Sequence, residues 1–190
     1  MKILETIVST CNEDGSTYLA PMGVWMNDSF MILAPFKPST TLDNLKRNPY
    51  AVINRIDDVR VFAGCLSGRR EWPLTGSKYV EVKRLATALS HIEVKVVKTE
   101  DDALRPKLHT EILHEATHAP FNGFNRAQAA VIELAILVSR LDRLPSEKIL
   151  TEIAYLKIAI DKTAGPEELK AWSWLMERVQ KKFPDILESI

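Results

Sequence analysis

The hydrophobic period of this chain changes once, near Phe124, and the change separates two kinds of structure. Before it, short runs rich in β-formers are broken by turn residues. Ile3 to Cys11 ends at Asn12-Glu13-Asp14-Gly15, where Asp-Gly suits a hairpin turn. Thr17 to Met26 runs back, with Pro21 suggesting an edge or a bulge. Asn27-Asp28 turns the chain and Ser29 to Ala34 returns. Ser39 or Thr40 caps a short helix that runs through Asn48, and Pro49 stops it. Tyr50 to Ile56 and Val59 to Ala63 read as strands flanking a turn at Asp57-Asp58. His91 to Val97 alternates, with Ile92, Val94 and Val96 on one face and Glu93 and Lys95 on the other, as in a half-buried strand. Residues 64–79 show no period and hold Gly64, Gly68, Pro73 and Gly76; a loop of that length in a compact domain is usually functional or mobile.

After Phe124 the spacing is helical. Ala127, Ala130, Val131, Leu134, Val138 and Leu141 share a stripe behind Asn125 and Gln128, which stand at capping-box spacing. A second helix is expected from Ser146 to Gly165, with Ile149, Ile153, Leu156 and Ile160 on one face. A third starts at Pro166, carries Glu167 and Glu168 at its positive end and Lys181 and Lys182 at its negative end, and closes at Pro184. The expected class is α+β: an antiparallel β-barrel domain over residues 1–118 and a C-terminal helical subdomain over 119–190.

Composition removes several classes of function. Hydrophobic residues make up 46% of the 190, enough for a real core. Lys plus Arg and Asp plus Glu both number 25, so no charged field argues for nucleic acid. The start, Lys2-Ile3-Leu4-Glu5-Thr6, does not read as a secretory leader, and no apolar run approaches the roughly 20 residues of a membrane span. Cys11 and Cys65 match no metal or redox spacing, and a cytoplasmic protein with reduced thiols is expected. There is no Walker loop, no G-x-G-x-x-G and no nucleophile elbow.

The segment Ala20 to Asn54 carries the strongest chemical pattern. A dianionic phosphate needs N–H and O–H donors plus a positive charge, fixed before it arrives. Ser39, Thr40 and Thr41 supply donors at a helix start, Lys37 supplies charge, and Asn44 follows one turn later. Asn54 ends the next strand with both a donor and an acceptor. Pro21-Met22-Gly23 allows backbone to approach a planar ligand, because glycine has no Cβ. The same residues also make an ordinary helix cap beside a solvent-facing lysine.

His114-Glu115-Ala116-Thr117-His118 matches H-E-x-x-H, in which two histidines one helical turn apart bind zinc and the glutamate is a general base. His109 lies five residues upstream, and Glu133 is a candidate third ligand. On a strand the two histidines would be about 13 Å apart, too far to share one ion. Leu108, Ile112 and Ala116 have helical spacing, but Pro120 and Gly123 end any helix at once, so no metal ligand is assigned.

The order Ala-Pro-Met-Gly, then Pro-x-x-x-Ser-Thr-Thr-x-x-Asn-Leu, then Ala-Val-Ile-Asn, resembles the FMN-binding split barrel of flavin reductases. More closely, the chain resembles an uncharacterised family of archaea and methylotrophic bacteria, domain of unknown function 447. Gly123-Phe124-Asn125-Arg126-Ala127 followed by Ala130-Val131-Ile132-Glu133-Leu134 is similar to that family's helical signature. The resemblance implies a six-stranded split barrel and a homodimer holding FMN at its interface. By position, Lys37, Ser39 and Thr40 would hold phosphate. Met22, Gly23 and Asn54 would border the isoalloxazine, and Arg126 would reach in from the partner subunit. An oxidoreductase or flavin carrier of one-carbon metabolism is implied, its redox partner an unidentified small molecule and its catalytic residues unassigned. The rivals are a non-catalytic FMN-binding dimer and a zinc hydrolase built on His114, Glu115 and His118.

Overall fold

The computed structural model describes residues 2–27 and 30–184, which form two compact units. The described parts of residues 1–56 and 72–121 make the first, and those of 57–71 and 122–190 make the second. Ser29 and Asp28, expected in a turn and strand start, lie outside the described residues, as do 185–190.

The first unit is a closed barrel of six antiparallel strands in the order β1-β2-β3-β8-β7-β4. These are β1 (Lys2–Cys11), β2 (Thr17–Met26), β3 (Met31–Leu33), β4 (Tyr50–Arg55), β7 (Ser90–Glu100) and β8 (Lys107–Thr117). The hairpin of β1 and β2 turns at Gly15, whose φ of 81° lies in the left-handed region that glycine enters freely. Val8, Val24, Leu33, Ile53, Ile92 and Val94 point inward and form the barrel core. α1 (Thr40–Arg47) sends Leu42 and Leu45 into that core. Ser39 caps it, its hydroxyl accepting the Leu42 N–H at 3.3 Å.

One strand expectation needed correction. Val59 to Ala63 is not a strand but the start of α2 (Val59–Ser67), which belongs to the second unit. Asp58 caps it by accepting the Arg60 N–H at 3.0 Å, and Gly68 ends it at φ 87°. The sixth barrel strand is β8 instead, so the region of the H-E-x-x-H pattern is extended.

The supposed loop of 64–79 is thereby divided. Its start is helical, and from Trp72 onward the chain lies over the outside of the barrel. There β5 (Leu74–Thr75) pairs with β6 (Arg84–Leu85), while Val80 and Val82 pack on Val52 of β4.

In the second unit α2 is joined by α3 (Arg126–Val138), α4 (Ser146–Thr163) and α5 (Pro166–Lys182). Ala127, Val131, Leu134, Ile149, Ile153, Ala171, Leu175 and Val179 are its fully buried centre. Asn125 caps α3 by accepting from Ala127 and Gln128, but the Gln128 amide does not complete a capping box; it donates to Glu168 at 3.2 Å. Glu168 in turn accepts the Gly165 N–H at 2.9 Å, holding the start of α5. Among the described residues no helix is long and apolar enough to cross a membrane.

Candidate functional site

Strand alternation puts every second residue of β4 and β7 on the barrel's outer face, where water would normally meet it. Here the face is covered. Ser9, Asn54, His91 and Glu93 are all 3% exposed or less, so each must find its partners within the protein. Asn54 donates to Ile7 O at 2.9 Å and to Ser9 Oγ at 2.8 Å, and its Oδ1 accepts the Leu85 N–H at 2.8 Å. Glu93 accepts three backbone N–H groups, from Lys78 and Tyr79 at 2.7 Å and from Val80 at 3.0 Å. These two side chains fasten the covering segment to the barrel.

Burial pushes the Glu93 carboxyl up, but the N–H groups of Lys78 and Tyr79, then His91 and the Val80 N–H, outweigh it and hold the pKa below the usual range. Glu93 is therefore an ionised, acceptor-only carboxylate at neutral pH. His91 Nε2 faces its Oε1 at 3.1 Å and must carry the proton there. The other nitrogen of His91, Nδ1, lies 2.8 Å from His118 Nε2. Partial desolvation where the exposed His118 meets the barrel, followed by Arg84 and His91, holds it below the ordinary imidazole range. His118 reaches this place because the chain bends after β8, where His118 and Ala119 both donate to Leu89 O. His114 stands directly across from Glu93 in the β7–β8 register, its ring 5.8 Å from that of His91 and 5.3 Å from that of Tyr79.

The zincin reading does not survive this geometry. His114 sits on a strand, and Glu115 points to the opposite face, where it pairs with Arg55 at 2.6 Å. His109 lies near the other end of β8, 3.0 Å from Glu100. His91 and Glu93 were missed in the sequence because alternation marks them as solvent-facing. The signal available was the crowding of all four histidines into residues 91–118.

The other segment is at α1. Lys37 pairs with Asp101 at 2.9 Å and donates to Asp102 O at 2.8 Å, and the peptide bond after it is cis. Lys37 and Ser39 are half-buried, Thr40 is exposed, and Thr41 is buried. Asn44 is buried and ties α1 to β1, donating to Thr10 Oγ1 and Asn12 Oδ1, each at 3.0 Å. Met22 and Gly23 lie side by side on β2; the Met22 carbonyl accepts from Thr6, and the Ile3 and Glu5 side chains lie across Gly23, where a Cβ would come within 2.9 and 3.0 Å of them. Arg126 is the exposed first residue of α3, in the helical unit.

Comparison with known proteins adds to this geometry. An uncharacterised protein of Methanocaldococcus jannaschii is 24% identical over 144 residues, 73% of this chain and 75% of that one. A crystal structure of an FMN-bound protein from Methanosarcina mazei shares the fold over 93% of this chain and 95% of its own, with a TM-score of 0.83 at 21% identity. A flavoredoxin from Methanosarcina acetivorans shares it over 61% of this chain and 69% of its own, at a TM-score of 0.53 and 15% identity. Residues 4–119 match the family model described as the protein of unknown function (DUF447) N-terminal domain, and residues 125–177 match the model described as protein of unknown function (DUF447). With both models matched in order along most of its length, the chain belongs to the DUF447 family.

Proposed function

We propose that this chain binds FMN, as a pair of identical subunits with the flavin between them, and works as an oxidoreductase or flavin carrier. The observation that carries this reading is the near whole-chain likeness to an FMN-bound protein of the same family. The donor set at α1 fits a phosphate. The first-turn N–H groups of a helix have no intrahelical acceptor, and here the accessible Ser39 and Thr40 add hydroxyls beside them, while Thr41 is buried. Lys37 supplies the charge; its pair with the exposed Asp101 is screened by solvent and weak, so a phosphate can displace it.

In this reading Met22 and Gly23 border the ring and Arg126 comes from the other subunit. Asn44 and Asn54 are spent on internal bonds and hold α1 and β4 in place for the site. Bound flavin would supply the redox chemistry, and the protein binding and orientation. The redox partner is a small molecule. The two cysteines are free thiols, in keeping with a reducing cytoplasm.

Ser39→Asp tests the phosphate site cleanly, because aspartate caps helices as well as serine and leaves α1 intact. Its carboxylate should weaken FMN by at least about tenfold, or about 1.4 kcal/mol, in a fluorescence titration. Unchanged affinity would move the phosphate elsewhere.

A further inference from the structure

Three of the chain's four histidines gather around Glu93, and the fastening of the covering segment does not account for them. Holding residues 78–80 uses the Glu93 carboxylate alone. A nitrogen of His91, a nitrogen of His114 and an oxygen of Glu93 all lie within 4.8 Å of one another. His91 Nε2 and Glu93 Oε1 are 3.1 Å apart, close to the roughly 3.3 Å between ligands set tetrahedrally about 2.0–2.1 Å from a zinc ion. We propose that His91, Glu93 and His114 form a binding site for a divalent first-row transition-metal ion such as Zn2+.

The groups behind these ligands are already arranged for it. A metal-bound histidine needs a partner for its other nitrogen, and His91 Nδ1 has one in His118. The two rings meet edge to edge: their planes differ by 12°, their centroids are 5.0 Å apart, and the facing nitrogens are 2.8 Å apart. That is the geometry of an in-plane N–H···N bond. The ion takes the place of the proton that His91 Nε2 otherwise carries toward Glu93; the remaining proton of His91 then sits on Nδ1 and is donated to Nε2 of a neutral His118 whose own proton is on Nδ1. Glu93 is fixed equally well, since its Oε2 accepts the N–H groups of Tyr79 and Val80 and keeps the carboxylate from rotating. Two imidazoles and one carboxylate suit Zn2+ or Fe2+ and leave a fourth position open. His91 and Glu93 are buried while His114 is half-buried, so the ion's access and the open position lie on the His114 side.

The test uses the full chain, stripped with a chelator and dialysed against Zn2+, with Co2+ as a spectroscopic substitute. One equivalent of Zn2+ should bind with micromolar or tighter affinity, and Co2+ should give the ligand-field absorption of a low-coordinate site. His114→Gln, which keeps the side chain's bulk, should abolish both. His118→Ala should weaken binding about 10–100-fold while the ligands remain. Glu115→Gln, outside the proposed set, should bind as the wild type does. Substoichiometric uptake by the wild type, or equal uptake by wild type and His114→Gln, overturns the proposal. So does loss of binding in Glu115→Gln alone. FMN retention, read on the same samples, separates this outcome from the fate of the flavin assignment.

Discussion

The helical unit and the barrel unit bury different things. In the helical unit the fully buried side chains are aliphatic: Val131, Leu134, Ile149, Ile153, Leu175 and Val179. Among its described residues the buried polar side chain is Glu168, spent on Gly165 and Gln128. The barrel unit has an aliphatic core too, but it also buries Ser9, Asn54, His91 and Glu93 on its outer face beneath residues 72–88. A buried polar group left without a partner costs about 1–3 kcal/mol, so a face made of them is retained only where each is matched. The difference teaches where to look for chemistry. One unit is built from packing and caps, whereas the other holds titratable groups out of water in fixed directions.

The contrast is sharpest in what deletion should do. Leu134→Ala should destabilise the helical unit by about 2–5 kcal/mol, read from urea unfolding, because it opens a cavity in an apolar centre. A loss below 1 kcal/mol would mean that the centre can collapse, and the contrast would weaken. Asn54→Ala in the barrel removes little apolar contact, yet it strands the Leu85 N–H and the Ser9 hydroxyl. It should cost about 1–3 kcal/mol and speed hydrogen exchange at Leu85, with the apolar barrel core unchanged. Normal protection at Leu85 in that variant would show that the covering segment is held by something else.

Asn125→Ala should cost the helical unit about 1 kcal/mol through the loss of the α3 cap. The smallest effect is chemical rather than energetic. Burial pushes the Cys65 thiol of α2 up to about 11, while Cys11 at the end of β1 is half-buried. One thiol, Cys11, should react with a disulfide reagent at neutral pH, and Cys65 only after unfolding. Prompt reaction of both would contradict the tight packing assigned to the helical unit.

The helices and most of the barrel were legible because one period ruled each segment. Val59 to Ala63 was misread because Val-Arg-Val-Phe-Ala alternates like a strand. The deciding signals were its ends, an Asp58 cap and a Gly68 stop at helical distance. β8 was ambiguous for a related reason: Leu108, Ile112 and Ala116 are spaced by four, a step that serves both a helix stripe and one face of a strand. The Lys37 to Thr41 pattern was visible from residue chemistry alone, and the structure puts its hydroxyls at a helix start. The His91–Glu93 arrangement was hidden because it depends on a covering segment with no period of its own.

The central claim is that this chain holds FMN, and the most direct measurement is retention. Purified protein, incubated with FMN and desalted, should keep close to one flavin per subunit, with a protein-bound visible spectrum and altered flavin fluorescence. A colourless protein that leaves the fluorescence of added FMN unchanged would contradict the account.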